Sequence, residues 1–156
     1  MNTQLKVKKS HELVSARYSF SLIEIRLFTM IVSLIDDRDE DFKNYKIPVK
    51  NIIETFQIKS KKIYAELNQL TSSMLKKIIT IPIKEDNIEK EIKTTLVSSF
   101  KYAVDGRGSL EVSFHPILKP YLLQLKNKYL MYDIKNILKI SSGHSIRMYE
   151  LLKSYE

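Results

Sequence analysis

LVSSFKYAVDGRGSLEVSF, residues 96–114, is the stretch on which the reading of this 156-residue chain turns. Leu96, Ser98, Phe100, Tyr102 and Val104 alternate as a strand with one buried face does, and Leu110, Val112 and Phe114 do so again. Asp105, Gly106, Arg107, Gly108 and Ser109 between them are turn formers. The stretch therefore predicts a β-hairpin with Arg107 at its tip.

What precedes the hairpin gives it meaning. Pro48 fits the first turn of a helix whose apolar face is Val49, Ile52, Ile53 and Phe56. After a short turn, Ser60 is placed to cap a second helix, on which Ile63, Leu67, Leu70, Met74 and Ile78 keep an amphipathic register. Further upstream, Ser21 and Glu24 have the spacing of a capping box. The run from Leu22 to Ile35 is apolar nearly all round, with Arg26, Thr29 and Ser33 as its narrow polar stripe, so it reads as a central core helix. The acidic run from Asp36 to Asp41 reads as a solvated turn and 45–47 as a short strand. Ile79, Ile81 and Ile83 alternate as a further strand, and the charged segment 85–93 reads as a loop or edge extension. Helices followed by a hairpin give the order of a winged helix-turn-helix: an α+β fold with helices packed on a small antiparallel sheet and a β-hairpin wing.

Around this unit, residues 1–17 read as a basic flexible arm carrying Lys6, Lys8 and Lys9, and residues 18–145 as the domain itself. Pro116 opens a short helix to Leu123, and Asp133 is placed to cap 134–140. Ile146, Tyr149, Leu152 and Tyr155 align on a last helix with no stop signal. Residues 146–156 are therefore expected to begin a helix leading to a second winged-helix domain.

Composition narrows the chemistry. A formal charge of +8 favours a polyanionic partner, nucleic acid ahead of an anionic membrane surface. There is no cysteine, which excludes disulfides, thiolate catalysis and cysteine-ligated zinc. Residues 1–10 do not form a signal peptide. The run from Leu22 to Ile35 is too short and too interrupted for the roughly 18 apolar residues of a membrane span. A bacterial cytoplasm is the simplest location. His11, His115 and His144 lack metal-ligand spacing, and no glycine-rich phosphate loop is present. The acidic run lacks the spaced pattern of a calcium loop. The reading is therefore a binding domain without enzymatic activity, cofactor or metal. Lys59, Lys61 and Lys62 at the start of the second helix, with Arg107 at the wing tip, are the expected DNA phosphate contacts. The 96–104 strand is longer than its partner, leaving edge to pair with another chain. Leu96, Ser98, Phe100 and Tyr102 are accordingly the expected homodimer interface, although Phe100 also fits an ordinary core position.

Three segments together resemble the Rep family of replication initiators of theta-replicating plasmids, which carry two tandem winged-helix domains. They are Ser19-Phe20-Ser21 with the helix through Leu27-Phe28, then residues 114–123 (FHPILKPYLL), then residues 145–155 (SIRMYELLKSY). The resemblance implies binding to direct repeats, iterons, in double-stranded plasmid origin DNA, opening of the origin and help in loading host replication factors. It further implies that monomers bind iterons, whereas dimers repress the initiator's own gene or are idle. The second domain would supply most base reading, and the first dimerisation and auxiliary phosphate contact. A stand-alone winged-helix transcription regulator and a protein-interaction module without a DNA role are the alternatives.

Overall fold

The computed structural model describes residues 6–123, 125 and 129–153. Helix α2 (Leu22–Val32) runs through the core, and the chain's own side chains set its start. The Ser21 hydroxyl accepts from the Glu24 N–H at 3.3 Å, and Glu24 Oε1 accepts from the Ser21 N–H at 2.8 Å. This is the reciprocal capping box that the spacing predicts. Leu27, Phe28, Met30 and Ile31 are buried. The polar stripe is partly buried too: the Thr29 and Ser33 hydroxyls donate to the carbonyls of Ile25 (2.9 Å) and Met30 (2.6 Å), which satisfies them without water.

The acidic run after this helix departs from the solvated turn expected of it. Asp39 is only 4 % exposed; it accepts from the Tyr45 hydroxyl at 2.8 Å and the Asp36 N–H at 3.1 Å, and pairs with Lys43 at 2.9 Å. Burial alone would raise this carboxyl, but the Lys43 and Tyr45 hydrogen bonds bring it below the usual range. One buried carboxylate thus ties the loop to strand β2 (Tyr45–Pro48).

Strand β2 pairs antiparallel with β6 (Ser109–Phe114), whose other side pairs with β5 (Val97–Lys101), giving the order β2-β6-β5. Helices α3 (Val49–Phe56) and α4 (Ile63–Leu75) lie between β2 and β5 in the chain. A core helix, a strand, two helices and a hairpin whose second strand is central make the winged-helix topology. Strict alternation does not survive in β5. Val97 faces Phe114 and Ser99 faces Ser113, so Ser98 is the extra residue of a bulge. The bulge turns Phe100 onto the Val112 side, leaving adjacent Leu96 and Val97 both buried.

Two segments differ from expectation. Residues 85–93 are no loop: β3 (Ile79–Glu85) and β4 (Ile88–Thr94) form an antiparallel hairpin. Asp86 and Asn87 make its two-residue turn with φ of 52° and 62°, the left-handed pair that matches strand twist. Residues 6–17 are no arm either. Strand β1 (Lys6–Ser10) pairs antiparallel with β7 (Tyr129–Asp133), and α1 (His11–Val14) follows it with Leu13 and Val14 buried. The lysines assigned to the arm are engaged by the chain's own acids: Lys6 with Asp133 (3.2 Å), Lys8 with Asp37 (2.8 Å) and Lys9 with Glu150 (2.6 Å).

Beyond the wing come α5 (Lys119–Leu122), α6 (Lys135–Leu138) and α7 (Gly143–Lys153). The Asp133 carboxylate accepts from the Lys135 N–H at 3.2 Å, near the capping position assigned to it. Polar contacts hold α7 as much as apolar ones do. Its buried residues are Ile146 and Glu150. The Tyr132 hydroxyl donates to the same Glu150 oxygen that Lys9 engages. Arg147 donates to the Tyr18 hydroxyl and the Ala16 carbonyl, both at 2.6 Å. Tyr155, expected on the apolar side of this helix, lies outside the described residues.

Candidate nucleic-acid interface

Helix α3 ends on Gln57, whose left-handed φ of 55° turns the chain toward α4. Residues Ser60–Lys62 then form a short 3-10 turn without a side-chain cap, so α4 begins at Ile63 and Ser60 does not serve as its cap. Ile63, Leu67 and Met74 are buried, and the Thr71 hydroxyl beside them donates to the Leu67 carbonyl at 2.7 Å. Ile78 falls beyond the end of the helix and is 52 % exposed, so it does not continue the apolar face. On the opposite side Ala65, Asn68 and Ser72 are exposed, as are Lys61 in the preceding turn and Lys76 just past the helix end.

The wing closes on the start of this helix. Gly106 has φ +77°, and a Cβ added there would lie 2.6 Å from Ile63 Cγ2. The Tyr64 and Tyr102 rings lie 6.3 Å apart, centroid to centroid. These contacts bring Lys61, Lys62 and Arg107 to one end of the molecule: Lys62 precedes Ile63 in the chain, and Arg107 follows Gly106. Lys59 stands just before them on the same turn and is also exposed. Their electrostatics differ. Arg107 is 86 % exposed but paired with Asp105 at 2.7 Å, which offsets its charge. Lys59, Lys61, Lys62 and Lys76 make no ion pair among the described residues, whereas Lys43, Lys77, Lys90, Lys101 and Lys119 do. Asn68, Ser72 and Lys76 continue this exposed polar surface, legible in the sequence as the polar positions opposite Ile63, Leu67 and Met74.

The Gly106 contact makes a checkable expectation. Gly106→Ala is expected to lower stability by about 1–3 kcal/mol, through left-handed strain and collision with Ile63. Gly108 has φ +74° but nothing within 4 Å of an added Cβ, so Gly108→Ala carries the strain without the collision. Urea midpoints of the two variants separate these contributions. Equal losses would mean that the wing does not press on α4.

The four residues assigned to a dimer interface do not share one surface. Leu96 is 1 % exposed and sits inside the core. Ser98 is exposed in the bulge, while Phe100 and Tyr102 are half-buried and pack against the core. The outer edge of β5 has no strand partner among the described residues. Also among the described residues, no three acidic or histidine side chains are grouped to hold a metal ion, and no helix is long and apolar enough to cross a membrane.

A three-stranded β2-β6-β5 sheet, an exposed helix α4 and a wing packed on that helix's first turn define a winged-helix domain. Residues 6–153 match the family Initiator Replication protein, WH1, and the chain belongs to that family. It is 21% identical over 167 residues to an uncharacterized 27.6 kDa protein of Escherichia coli, with 100% of this chain and 69% of that protein covered. It is 24% identical over 160 residues to a replication initiation protein of Escherichia coli, covering 96% of this chain and 47% of the relative. Among solved structures it resembles the Pi initiator protein in complex with iteron DNA, with a TM-score of 0.71 at 19% identity. That likeness is one of fold, over 99% of this chain and 65% of the other. The chain thus spans less than half the length of the replication initiation protein and about two thirds of the other two.

Proposed function

We propose that this chain is the first winged-helix domain of a plasmid replication initiator working in a bacterial cytoplasm, and that it grips double-stranded origin DNA by its phosphates. Lys59, Lys61, Lys62 and Arg107 make those contacts. The supporting observation is the group of exposed lysines without ion pairs at the start of α4, beside a wing anchored on Ile63. Lysine suits this task as a point charge that follows phosphate without reading sequence. By analogy with the Pi initiator, whose structure holds iteron DNA, the duplex would carry iterons. A second copy pairs along the outer edge of β5, with Ser98, Phe100 and Tyr102 beside the contact. Host replication factors engage the whole initiator.

Fluorescence anisotropy with a labelled duplex at about 50 and 200 mM salt tests the DNA reading. Binding is expected to weaken steeply with salt. Lys61→Ala/Lys62→Ala is expected to reduce the log–log salt slope by nearly two units, about 0.9 for each phosphate that is no longer neutralised. Lys6→Ala, which removes a lysine already paired with Asp133, leaves the slope unchanged. No binding at either salt rejects DNA contact by this domain. Light scattering at tens of micromolar tests the β5 pairing, and a strict monomer there rejects it.

A further inference from the structure

The cations proposed to meet the duplex differ in what stands beside them. Lys59, Lys61 and Lys62 make no ion pair among the described residues, so their charge extends into solvent. Arg107, at the wing tip, has Asp105 Oδ2 2.7 Å from its Nε. The other carboxylate oxygen, Oδ1, accepts from the Arg107 backbone N–H at 3.0 Å. One acid thus engages both the main chain and the side chain of the residue two places on. The loop that carries this pair is itself tied down. The Gly106 N–H donates to the Ala103 carbonyl and the Val49 N–H to the Gly108 carbonyl, both at 2.9 Å. Gly106 also packs against Ile63, which keeps the pair beside the start of α4.

A polyanion therefore meets two different fields at this end of the molecule. An unpaired lysine attracts phosphate over roughly a Debye length, about 8–10 Å at ordinary salt. Opposite charges 2.7 Å apart act as a dipole, whose field falls off faster with distance, so the wing is close to silent until phosphate is near. At contact the balance changes. Arg107 is 86 % exposed, and its two Nη nitrogens make no hydrogen bond among the described residues, so they are open to phosphate while Nε faces Asp105. We infer that Asp105 is a regulatory counter-charge on the wing. It suppresses the pull of Arg107 on distant DNA and leaves the lysines at the start of α4 to draw the duplex in. Arg107 then grips only a duplex that is already seated. This rests on the phosphate-gripping reading above and deepens it: an acid that repels DNA sets how weak and reversible the grip is.

Two variants separate the charge of Asp105 from the shape of its loop. They are compared with the intact chain by stopped-flow association with a labelled duplex at about 50 mM salt, and by anisotropy from about 50 to 200 mM. Asp105→Asn keeps an oxygen for the Arg107 N–H but removes the charge. It is expected to raise the association rate about two- to fivefold and to steepen the log–log salt slope by up to about 0.9, one more phosphate neutralised. Asp105→Glu keeps the charge but lengthens the side chain, and is expected to restore the unmodified rate and slope. If Asp105→Asn leaves rate and slope unchanged, or weakens binding, the carboxylate does not restrain Arg107; the inference is overturned and phosphate gripping stands. If Asp105→Glu behaves as Asp105→Asn does, loop shape rather than charge is at work, and the inference is equally overturned. If the unmodified chain binds no duplex, both readings fall.

Discussion

Lys9→Met is expected to lower the stability of the domain by about 3–5 kcal/mol in urea unfolding, although the replacement is apolar and similar in length. Lys9 and Glu150 are 2 % and 1 % exposed and meet at 2.6 Å. The Lys9 ammonium also lies 4.4 Å from the centroid of the Phe28 ring. Removing it strands a carboxylate that water does not reach. The Tyr132 hydroxyl remains on one oxygen, but the other, Oε1, already has no hydrogen-bond partner among the described residues. Burial, then the nearby Glu150 charge, push the Tyr132 hydroxyl well above its ordinary pKa, so it stays a proton donor and cannot replace the missing cation. The double variant Lys9→Met/Glu150→Leu is expected to recover most of the loss, because it buries no charge. If Lys9→Met costs under about 1 kcal/mol, as surface ion pairs do, water reaches the pair after all. Hydrogen exchange should locate the damage in α7, which joins the core through this contact, the Arg147 bonds and Ile146.

Glu24→Ala is expected to cost about 2–4 kcal/mol: about 1 for the capping box, the rest for hydrogen bonds to a charged group. The same carboxylate reaches a second helix, accepting from the Ser73 hydroxyl at 2.9 Å and from the Lys77 ammonium. It therefore pins the first turn of α2 to the end of α4, the helix whose start carries the proposed phosphate contacts. Burial raises this carboxyl, but the hydrogen bonds from Lys77, Ser21 and Ser73 outweigh it and bring it below the ordinary 4.5. A lowered native pKa means that the unfolded chain takes up the proton first. The contribution is thus complete above about pH 5 and fades as pH falls through the native value. Asp39 acts in the same direction. Asp36, held near 2 by Arg38, stays ionised longest, but its salt link is in open water. Stability measured from pH 7 to pH 3 should fall on the acid side, and Glu24→Gln should flatten that fall. An unchanged acid limb would mean that Glu24 does not link the two helices.

Local signals were legible and distant ones were not. The capping box at Ser21 and Glu24, the core run after it and the hairpin turn at residues 105–109 all depend on neighbours within a few positions, and each formed. Strand β4 escaped because most of its residues face solvent, so it lacks the apolar alternation that marks a strand. Its legible mark was the Asp86–Asn87 pair, suited to a left-handed two-residue turn. Strand β1 escaped for another reason: its lysines look like a solvated tail until a carboxylate 141 positions away neutralises one of them. In β5, one inserted residue at Ser98 reassigned the faces, which no period-two pattern detects. At the candidate interface, the lysines at the start of α4 were visible as charge. That Asp105 offsets Arg107, while those lysines have no such partner, was visible only in three dimensions.

The pairing of the chain's first described strand with its seventh sets a timetable for synthesis. Lys9 leaves the ribosome long before Glu150, and at about 5–20 residues per second it waits on the order of ten seconds for its counter-charge. Strand β1 spends that interval without β7. The lysines that later bury or pair are, during that time, what keeps the waiting strand soluble and discourages it from joining a neighbouring nascent chain.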